Sequence, residues 1–261
     1  PILKGERNNY LAAMNSQVTS GVIKYFCPLQ DNYLVGLFFK ETNNYASHYI
    51  LMSNEYFRKT FWQVKLYGNY PLSATDLESN IILATKDIIH VVNQKGKKIR
   101  ESKREATPIQ LSIGPDGLMY MICLATGIHT KTEGTYLRVM DKYGNVKWEH
   151  KLDTHIINQP PIISNNGMAY IIQNKKLEAF SKRKKVWEYT LSNKEKSQKA
   201  TVLKNGNILI SNGSQVLYLN KYGKPIWIYN GKKKDIFQTP PILDNKKRVI
   251  VATAHHIVVI K

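Results

Sequence analysis

The hydrophobic positions of this chain recur with a period of two over short segments rich in β-branched and aromatic residues. The clearest segments are Tyr33–Phe39, Asn80–Thr85, Leu118–Cys123, Met168–Ile172, Asn207–Ser211 and Arg248–Thr253. Turn-forming sequences separate them, among them Pro115–Gly117, Asn165–Gly167, Asn205–Gly206, Asn212–Gly213 and Tyr222–Gly223. Short strands joined by such turns form antiparallel meanders. Because no long stretch carries a capped helical pattern, the sequence predicts an all-β fold.

A second, longer period overlies the strand pattern. The segment Thr135–Trp148 aligns with Gln215–Trp227, and both contain Lys-Tyr-Gly with a Trp four residues after the Gly. Less complete copies end at Trp62, Arg100 and Trp187, so that consecutive copies end 38 to 48 residues apart. The chain is therefore built from repeats of about forty residues.

Four strands in about forty residues make up one blade of a β-propeller. We predict about six blades within a single domain that spans residues 1–261. Their ranges are about 15–66, 70–103, 107–152, 157–191, 198–229 and 236–261. The last unit stops after three strands, and we expect residues 1–14 to add the fourth strand, since an open ring leaves unpaired strand edges. The alternative is that the chain is a piece of a longer protein.

Four tryptophans end repeat units and are interpreted as structural anchors: Trp62, Trp148, Trp187 and Trp227. A four-stranded sheet cannot cover both of its own faces, so successive blades must stack on one another. A Trp at a fixed place on the outer strand is expected to pack against the adjoining blade. This interpretation is favoured over a binding role.

The chain is strongly basic, with 38 Lys+Arg against 19 Asp+Glu and a formal net charge of +19. Its hydrophobic content of 43% excludes intrinsic disorder, and no apolar run is long enough to span a bilayer. The surplus favours anionic partners, or serves only to solvate the surface. Candidate contacts are lysines in predicted turns that the repeat places on one face: Lys97, Lys98, Lys184, Lys185, Lys246 and Lys247.

The two cysteines, Cys27 and Cys123, both lie in apolar surroundings. We expect two buried thiols, and a single long-range disulfide is the alternative. Cysteine usage therefore does not decide the redox compartment.

The repeat motif resembles that of the PQQ-like, or quinoprotein-like, repeat propellers. It consists of a strand, the sequence Asp/Asn-Lys-Tyr-Gly-x-x-x-Trp, and Pro-Pro-Ile on the next inner strand. Asp141–Trp148 and Asn220–Trp227 match it best, whereas Ser181–Trp187 lacks the Gly and is one residue shorter. The resemblance covers residues 30–261 and implies a propeller fold. The family includes quinone-dependent dehydrogenases, a lipoprotein that assists outer-membrane barrel assembly, secreted propellers and sensor ectodomains of kinases.

Enzymes of that family hold their quinone with adjacent cysteines, a Trp floor, a calcium-binding acidic cluster and a catalytic Asp. This chain has no adjacent cysteines, and its acidic residues are scattered, whereas calcium needs six to eight oxygen ligands. His255 and His256 fall at a predicted hairpin tip, where a solvated turn is favoured over a metal site. We therefore expect no catalytic residue, no cofactor and no metal.

The leading functional prediction is a non-enzymatic scaffold or sensor propeller outside the cytoplasm. Its loop faces would bind a protein, an anionic polymer or an anionic surface. One alternative is a quinoprotein-type oxidoreductase dependent on PQQ and calcium. Another is a nucleic-acid-binding platform, which is less favoured because Lys exceeds Arg and because no aromatic residues are interleaved with the basic clusters.

Overall fold

A computed structural model describes residues 22–28, 33–42, 45–54, 60–67, 72–85, 88–103, 106–125, 133–153, 159–173, 175–191, 198–232 and 234–260. The chain divides into two compact units, Pro1–Pro108 and Ile109–Lys261. The regular structure of the described residues consists of strands in six antiparallel sheets, which confirms the all-β prediction. No helix in this part of the chain is long and apolar enough to cross a membrane.

The first unit contains two sheets whose strands follow one another in sequence order. The strands of one are β1 (Val22–Pro28), β2 (Tyr33–Thr42), β3 (Tyr45–Asn54) and β4 (Thr60–Tyr67). Those of the other are β5 (Leu72–Thr75), β6 (Ile81–Ala84), β7 (Ile88–Val92) and β8 (Lys98–Lys103). Each strand pairs antiparallel with its sequence neighbour, as short turns require.

The remaining sheets follow the same order. The third sheet consists of β9 (Thr107–Ile113), β10 (Met119–Ala125), β11 (Gly134–Met140) and β12 (Val146–Leu152). The fourth consists of β13 (Ile162–Ile163), β14 (Ala169–Gln173), β15 (Lys176–Ser181) and β16 (Lys184–Thr190). The fifth consists of β17 (Gln198–Val202), β18 (Ile208–Asn212), β19 (Gln215–Leu219) and β20 (Pro225–Asn230). The last has the described strands β21 (Ile242–Leu243), β22 (Val249–Ala252) and β23 (Ile257–Ile260).

Neighbouring sheets of the second unit pack face to face. Along β14, Ala169 and Ile171 pack in a cluster with Tyr120 of β10. The alternate residues Tyr170 and Ile172 pack instead with apolar residues of β17, β18 and β19. Successive side chains of a strand point to opposite faces, so a sheet between two others buries both. This explains why β14 is buried at every position.

A β-bulge recurs at one place in the outer hairpins. Trp148 lies opposite Val139, but the next residue of β11, Met140, lies opposite Val146, which leaves one extra residue in β12. The same shift accompanies the other positions that end a repeat, namely Trp62, Arg100, Trp187 and Trp227. These five positions therefore share one register, and the bulge increases the local twist of each outer strand.

Several sequence predictions concern residues that the structure does not describe. Residues 1–14, expected to complete the last sheet, lie outside the described ranges, as does the thiol of Cys27. Cys123 is a buried thiol in β10. Each sheet occupies one predicted repeat unit, and the prediction that they form one domain of six blades stays a prediction.

One five-residue turn recurs at eight described hairpins in the two units. Its first residue donates its backbone N–H to the carbonyl of the fifth, and its fourth residue donates to the carbonyl of the first. The fourth residue always has a positive φ, as found at Ser79, Gly96, Gly117, Gly144, Gly167, Gly206, Gly223 and Lys247. This is a type I turn followed by a left-handed residue, a position that favours glycine.

An Asp or Asn at the first position closes five of these turns. Its Oδ1 accepts hydrogen bonds from the backbone N–H groups of the third and fifth residues. The residues that do so are Asp76, Asn93, Asp141, Asn220 and Asp244. The Asp/Asn and the Gly of the repeat motif are therefore both requirements of the turn.

Two substitutions test the backbone requirement. Lys247 has a φ of 60° where most of these turns have glycine, and the left-handed region costs a residue with a Cβ about 1 kcal/mol. We expect Lys247→Gly to raise the free energy of unfolding by about 0.5–1 kcal/mol. Gly117→Ala, whose added Cβ meets nothing within 4 Å, should lower it by about 1 kcal/mol. Urea denaturation followed by Trp fluorescence measures both, and a loss of stability in Lys247→Gly would contradict the argument.

Candidate functional site: a row of basic turns

The turns between the third and fourth strands of the second unit's sheets present basic and aromatic side chains to solvent. The β11–β12 turn carries Lys142 and Tyr143, and the β19–β20 turn carries Lys221, Tyr222 and Lys224. The two tyrosines are 52% and 66% exposed. The ammonium groups of Lys142 and Lys221 lie 5.7 and 5.1 Å from the centroids of the adjacent Tyr rings. Each turn thus presents a cation and a ring together.

The β15–β16 turn belongs to the sheet between these two and is different in shape. Its two turn residues, Lys182 and Arg183, have φ of 44° and 80°, as in a type I′ hairpin. This two-residue connection explains why the repeat copy here lacks its Gly and is one residue shorter. With Lys184 it adds three exposed cations. We call the exposed side chains of the three turns the basic row: Lys142, Tyr143, Lys182, Arg183, Lys184, Lys221, Tyr222 and Lys224.

Trp187 of β16 packs against the β19–β20 turn of the following sheet. A Cβ added to Gly223 would lie 2.6 Å from the indole ring, so the ring rests directly on the turn backbone. The indole Nε1 donates a hydrogen bond of 3.1 Å to the carbonyl of Lys221. Gly223 is therefore required twice, once for its φ of 80° and once because any side chain would displace Trp187.

The first unit repeats this contact. A Cβ on Gly96 would lie 2.5 Å from the Trp62 ring, and the Trp62 Nε1 donates a hydrogen bond of 2.7 Å to the carbonyl of Gln94. Gln94 and Lys221 occupy the second position of their turns. The two tryptophans thus support the same part of the same turn in different units.

Trp148 and Trp227 are placed equivalently in their strands but have other partners. Trp148 is 9% exposed and packs edge-on against Tyr120, with ring centroids 6.3 Å apart. The type I′ turn of the next sheet is contacted instead by His150, whose Nδ1 lies 3.0 Å from the carbonyl of Arg183. Trp227 packs against a tyrosine of β19 at 5.4 Å between ring centroids. All four tryptophans therefore make contacts that hold sheets or turns together.

The six lysines predicted as anion contacts lie in unlike environments. Lys184 belongs to the basic row, and Lys97 lies in the β7–β8 turn of the first unit. Lys246 and Lys247 lie in the β21–β22 turn, and the described residues offer these four lysines no ion pair. Lys98, in contrast, binds Glu101 at 2.6 Å within its own sheet, and this hydrogen bond lowers the pKa of Glu101.

Lys185 is committed to two carboxylates of its own sheet. Its Nζ lies 3.0 Å from Glu178 and 2.8 Å from Glu188, which raises the pKa of Lys185. Hydrogen bonds from Lys176 and Lys185 lower the pKa of Glu188 to about 2. The Glu178 carboxylate is buried and is also bonded by Gln173. Lys185 therefore neutralises a buried charge, and removing it would leave Glu178 without its cation.

The candidate metal-ligating side chains of the described part of the chain are dispersed. These residues include no group of three or more His, Cys, Asp or Glu side chains that could hold a metal ion. His255 and His256 lie exposed in the β22–β23 turn, with the His256 Nε2 3.6 Å from Asp235. That the protein is not an enzyme and has no cofactor stays a prediction.

From the sequence, we expected no aromatic residues to be interleaved with the basic clusters. The structure instead places two exposed tyrosines beside lysines in these turns. Tyr143 and Tyr222 precede the Gly of the repeat motif and therefore occupy the third position of the turn. That position contributes its backbone N–H to the Asp or Asn cap, and its side chain points away from the sheet. The Lys-Tyr-Gly sequence contained this signal once the turn type was known.

Comparison of the structure with solved structures finds similar folds at low sequence identity. Chaetomium thermophilum Sqt1, bound to the N-terminus of the ribosomal protein L10, matches over 92% of this chain and 71% of that chain, with 10% identity and a TM-score of 0.66. BBS1N in complex with ARL6DN matches over 90% and 89%, with 10% identity and a TM-score of 0.55. A Bacteroides caccae protein of unknown function matches over 86% and 84%, with 12% identity and a TM-score of 0.52.

No protein-family model matches the sequence, and a search of curated proteins finds no match either. The likeness in structure nevertheless agrees with the forty-residue repeat and the four-stranded sheets. The fold is therefore all-β and of the β-propeller class, and each sheet is a propeller blade.

A double-mutant cycle tests the contact between Trp187 and Gly223. We expect Trp187→Ala to lower the free energy of unfolding by about 3 kcal/mol, and Gly223→Ala to lower it by about 2 kcal/mol or more through steric overlap and backbone strain. In the Trp187→Ala background, Gly223→Ala should cost only the backbone term of about 1 kcal/mol. Chemical denaturation of all four proteins gives the coupling free energy, and strictly additive effects would refute the contact.

Asp141 provides a test by pH. Burial alone would raise the pKa of Asp141, but hydrogen bonds from Asn145, Lys147 and the backbone of Tyr143 lower it to about 2. Because this is below the unfolded value, the ionised carboxylate stabilises the fold above about pH 4, and that stabilisation is lost as the pH falls through about 2. Asp141→Asn keeps the capping oxygen, as Asn220 shows. Urea unfolding should find the variant less stable than the parent at pH 7, with the difference shrinking by pH 2.5; a constant difference would argue against the ionised cap.

Proposed function

We propose that this protein is a non-enzymatic propeller of the PQQ-like repeat type that binds an anionic macromolecule through the basic row. It would act outside the cytoplasm as a scaffold or sensor, with an acidic protein or an anionic polymer as its partner. The observation that carries the proposal is the row itself. Three consecutive blades present exposed cations at the turn between their third and fourth strands, and two of these turns add an exposed tyrosine.

The basic row suits binding because its turns are held in place before any partner arrives. Trp187 fixes the β19–β20 turn through its ring and its indole N–H, and His150 contacts the β15–β16 turn. Asp141 and Asn220 close the other turns from within. A rigid turn loses little conformational freedom on binding, so more of the contact energy remains as affinity.

The charge of the row also supports an anionic partner. Lys184, Lys221 and Lys224 form no ion pair with the described residues, whereas Lys176 and Lys185 are paired with glutamates. An uncompensated group of cations attracts anions over about 10 Å at moderate salt. The scarcity of described carboxylates near these lysines supports the proposal of an anionic partner.

A protein partner is supported by the use of the fold elsewhere. Sqt1 was solved bound to the N-terminus of a ribosomal protein and BBS1N in complex with ARL6DN. The PQQ-like assignment rests on the Asp/Asn-Lys-Tyr-Gly-x-x-x-Trp motif at Asp141–Trp148 and Asn220–Trp227. The location outside the cytoplasm rests on that resemblance.

Single-stranded nucleic acid is a second candidate, favoured by one observation. Tyr143 and Tyr222 present exposed rings beside lysines, and bases stack on such rings while cations contact the phosphates. An acidic protein or glycan would use the same lysines with less need of the rings. The tyrosines therefore discriminate between the two candidates.

A charge-reversal pair tests the basic row. The row variant carries Lys142→Glu, Lys184→Glu, Lys221→Glu and Lys224→Glu, and the control carries the same change at exposed lysines toward the other end of the same sheets: Lys151, Lys175, Lys232 and Lys234. Heparin chromatography at low salt should retain the parent and the control but release the row variant at much lower salt. Equal release of both variants would indicate a diffuse charge effect. Failure of the parent to bind would overturn the proposal.

The two candidates are separated by replacing Tyr143 and Tyr222 with Ala. Fluorescence anisotropy with labelled oligothymidine should show at least about tenfold weaker binding if bases stack on the rings, since each stacked base contributes about 1–3 kcal/mol. Retention on heparin should then be unchanged. Unchanged binding of both ligands would remove nucleic acid from consideration and leave the acidic partner.

A further inference from the structure

Exposed aliphatic side chains follow each turn of the basic row. In each of the three blades that form the row, the outer strand carries an exposed Val or Ile within three residues of the turn. They are Val146 of β12, Val186 of β16 and Ile226 of β20, which are 48%, 53% and 50% exposed. A single exposed aliphatic residue needs no explanation, but its recurrence beside three consecutive basic turns indicates a common role. We call these three side chains the apolar strip.

The recurrent β-bulge explains why these side chains are exposed. In β16, Lys185 and Trp187 lie opposite consecutive residues of β15, so that Val186 between them is the extra residue. Ile226 is the extra residue of β20 in the same way, and Val146 directly precedes the extra residue of β12. Because the extra residue of a bulge has no directly opposite neighbour, cross-strand packing does not cover its side chain.

The apolar strip lies beside cations that the described carboxylates leave unpaired. Lys184 stands two residues before Val186, and Lys224 stands two residues before Ile226. Neither lysine forms an ion pair with the described residues. The surface therefore combines uncompensated positive charge with aliphatic groups at short intervals. A complementary partner carries negative charges and aliphatic groups at similarly short intervals.

An acidic polypeptide matches this combination better than other anionic partners. The backbone of a nucleic acid and an anionic glycan offer charges but no aliphatic side chains. A bilayer surface would meet the turns first, and the strip lies one to three residues behind them along the strand, which is about 3–10 Å at the rise of a strand. A flat layer of headgroups in contact with the turns would not reach it. An extended polypeptide laid over the outer strands can contact both.

We propose that the partner of the basic row is an acidic protein segment that carries aliphatic residues among its carboxylates. The lysines of the row bind the carboxylates, and Val146, Val186 and Ile226 pack against the aliphatic residues. This inference rests on the proposed function, because the basic row supplies the charge, and it adds the apolar strip as a second contact. The two contributions differ in their response to salt, since attraction between exposed charges is screened whereas burial of aliphatic surface is not.

Two labelled peptides of equal length and charge measure the contribution of the strip. Glutamate alternates with leucine in one and with serine in the other, and both are acetylated and amidated. Fluorescence anisotropy with the full chain at low salt should give an affinity about tenfold higher for the leucine peptide. Added salt should weaken both and leave their ratio unchanged. Equal affinities would overturn this inference and leave the proposed function standing, whereas no binding of either peptide would overturn both.

Two triple variants locate the contact. The strip variant carries Val146→Thr, Val186→Thr and Ile226→Thr, because threonine keeps the β-branched shape that suits a strand. The control carries the same kind of change at exposed aliphatic residues of the last sheet: Ile242→Thr, Ile257→Thr and Val259→Thr. The strip variant should bind the leucine peptide about tenfold more weakly than the parent and the serine peptide equally well. The control should bind both peptides like the parent.

Circular dichroism and urea denaturation verify that the variants fold. If the strip variant does not fold, the single variants Val186→Thr and Ile226→Thr decide, each with about threefold weaker binding of the leucine peptide. Cosedimentation with phosphatidylserine–phosphatidylcholine vesicles tests the bilayer, and the strip variant and the parent should behave alike. Parental affinity of the strip or single variants for the leucine peptide would overturn the proposal. So would a loss of vesicle binding confined to the strip variant, which would indicate a membrane instead.

Discussion

The contact of a tryptophan ring with the glycine turn of the following blade, made by Trp62 and Trp187, is the directional interaction that fixes the exposed turns in place. Apolar packing between sheets, such as that of Ile171 or Leu217, is non-directional and by itself permits neighbouring blades to slide. The hydrogen bond from the Trp187 Nε1 to the Lys221 carbonyl is directional and fixes the relative register of two blades. It exists only because Gly223 has no Cβ. The residue that the turn needs for its positive φ is thus also the residue that admits the tryptophan of the preceding sheet.

This constraint separates the positions of the turn into structural and functional ones. The first position is held by its cap to the backbone, and the fourth by its φ and, at Gly96 and Gly223, by the ring that lies on it. In the turns that Asp141 and Asn220 cap, the second and third positions contribute only backbone groups to the turn, so their side chains can vary; in three other turns the third position, Asp116, Asn166 or Asn205, supplies the capping oxygen. In the turns of Asp141 and Asn220 the two positions are Lys and Tyr, at 142 and 143 and again at 221 and 222. Repetition of a stable turn therefore places exposed, variable side chains at regular intervals along adjacent blades.

The fold could be predicted from the sequence because the features that specify it are local. The alignment of Trp148 with Trp227, the glycine four residues earlier and the alternation within each strand are all read along one chain segment. The charged partners of individual lysines could not be predicted from the sequence, because they lie on neighbouring strands. Lys185 was expected to face a partner, but Glu178 and Glu188 lie opposite each other on β15 and β16 and both bind its ammonium. The orientation of the Gln159 amide likewise depends on Ala200, which lies 41 positions away.

The positions of the carboxylates explain why the excess of positive charge is concentrated at the turns. Along the strands, acidic side chains are paired across hairpins, as in Arg138 with Glu149 and Lys176 with Glu188. In the turns, the acidic residue at the first position directs one oxygen to the backbone and, at Asp141 and Asp244, the other oxygen to a basic residue of its own hairpin, Lys147 or Arg248. The few carboxylates of a chain of charge +19 are thus used within the sheets and caps. Lys221 and Lys246, at the second and third positions of their turns, form no ion pair with the described residues, and the positive potential is strongest where consecutive blades bring such turns together.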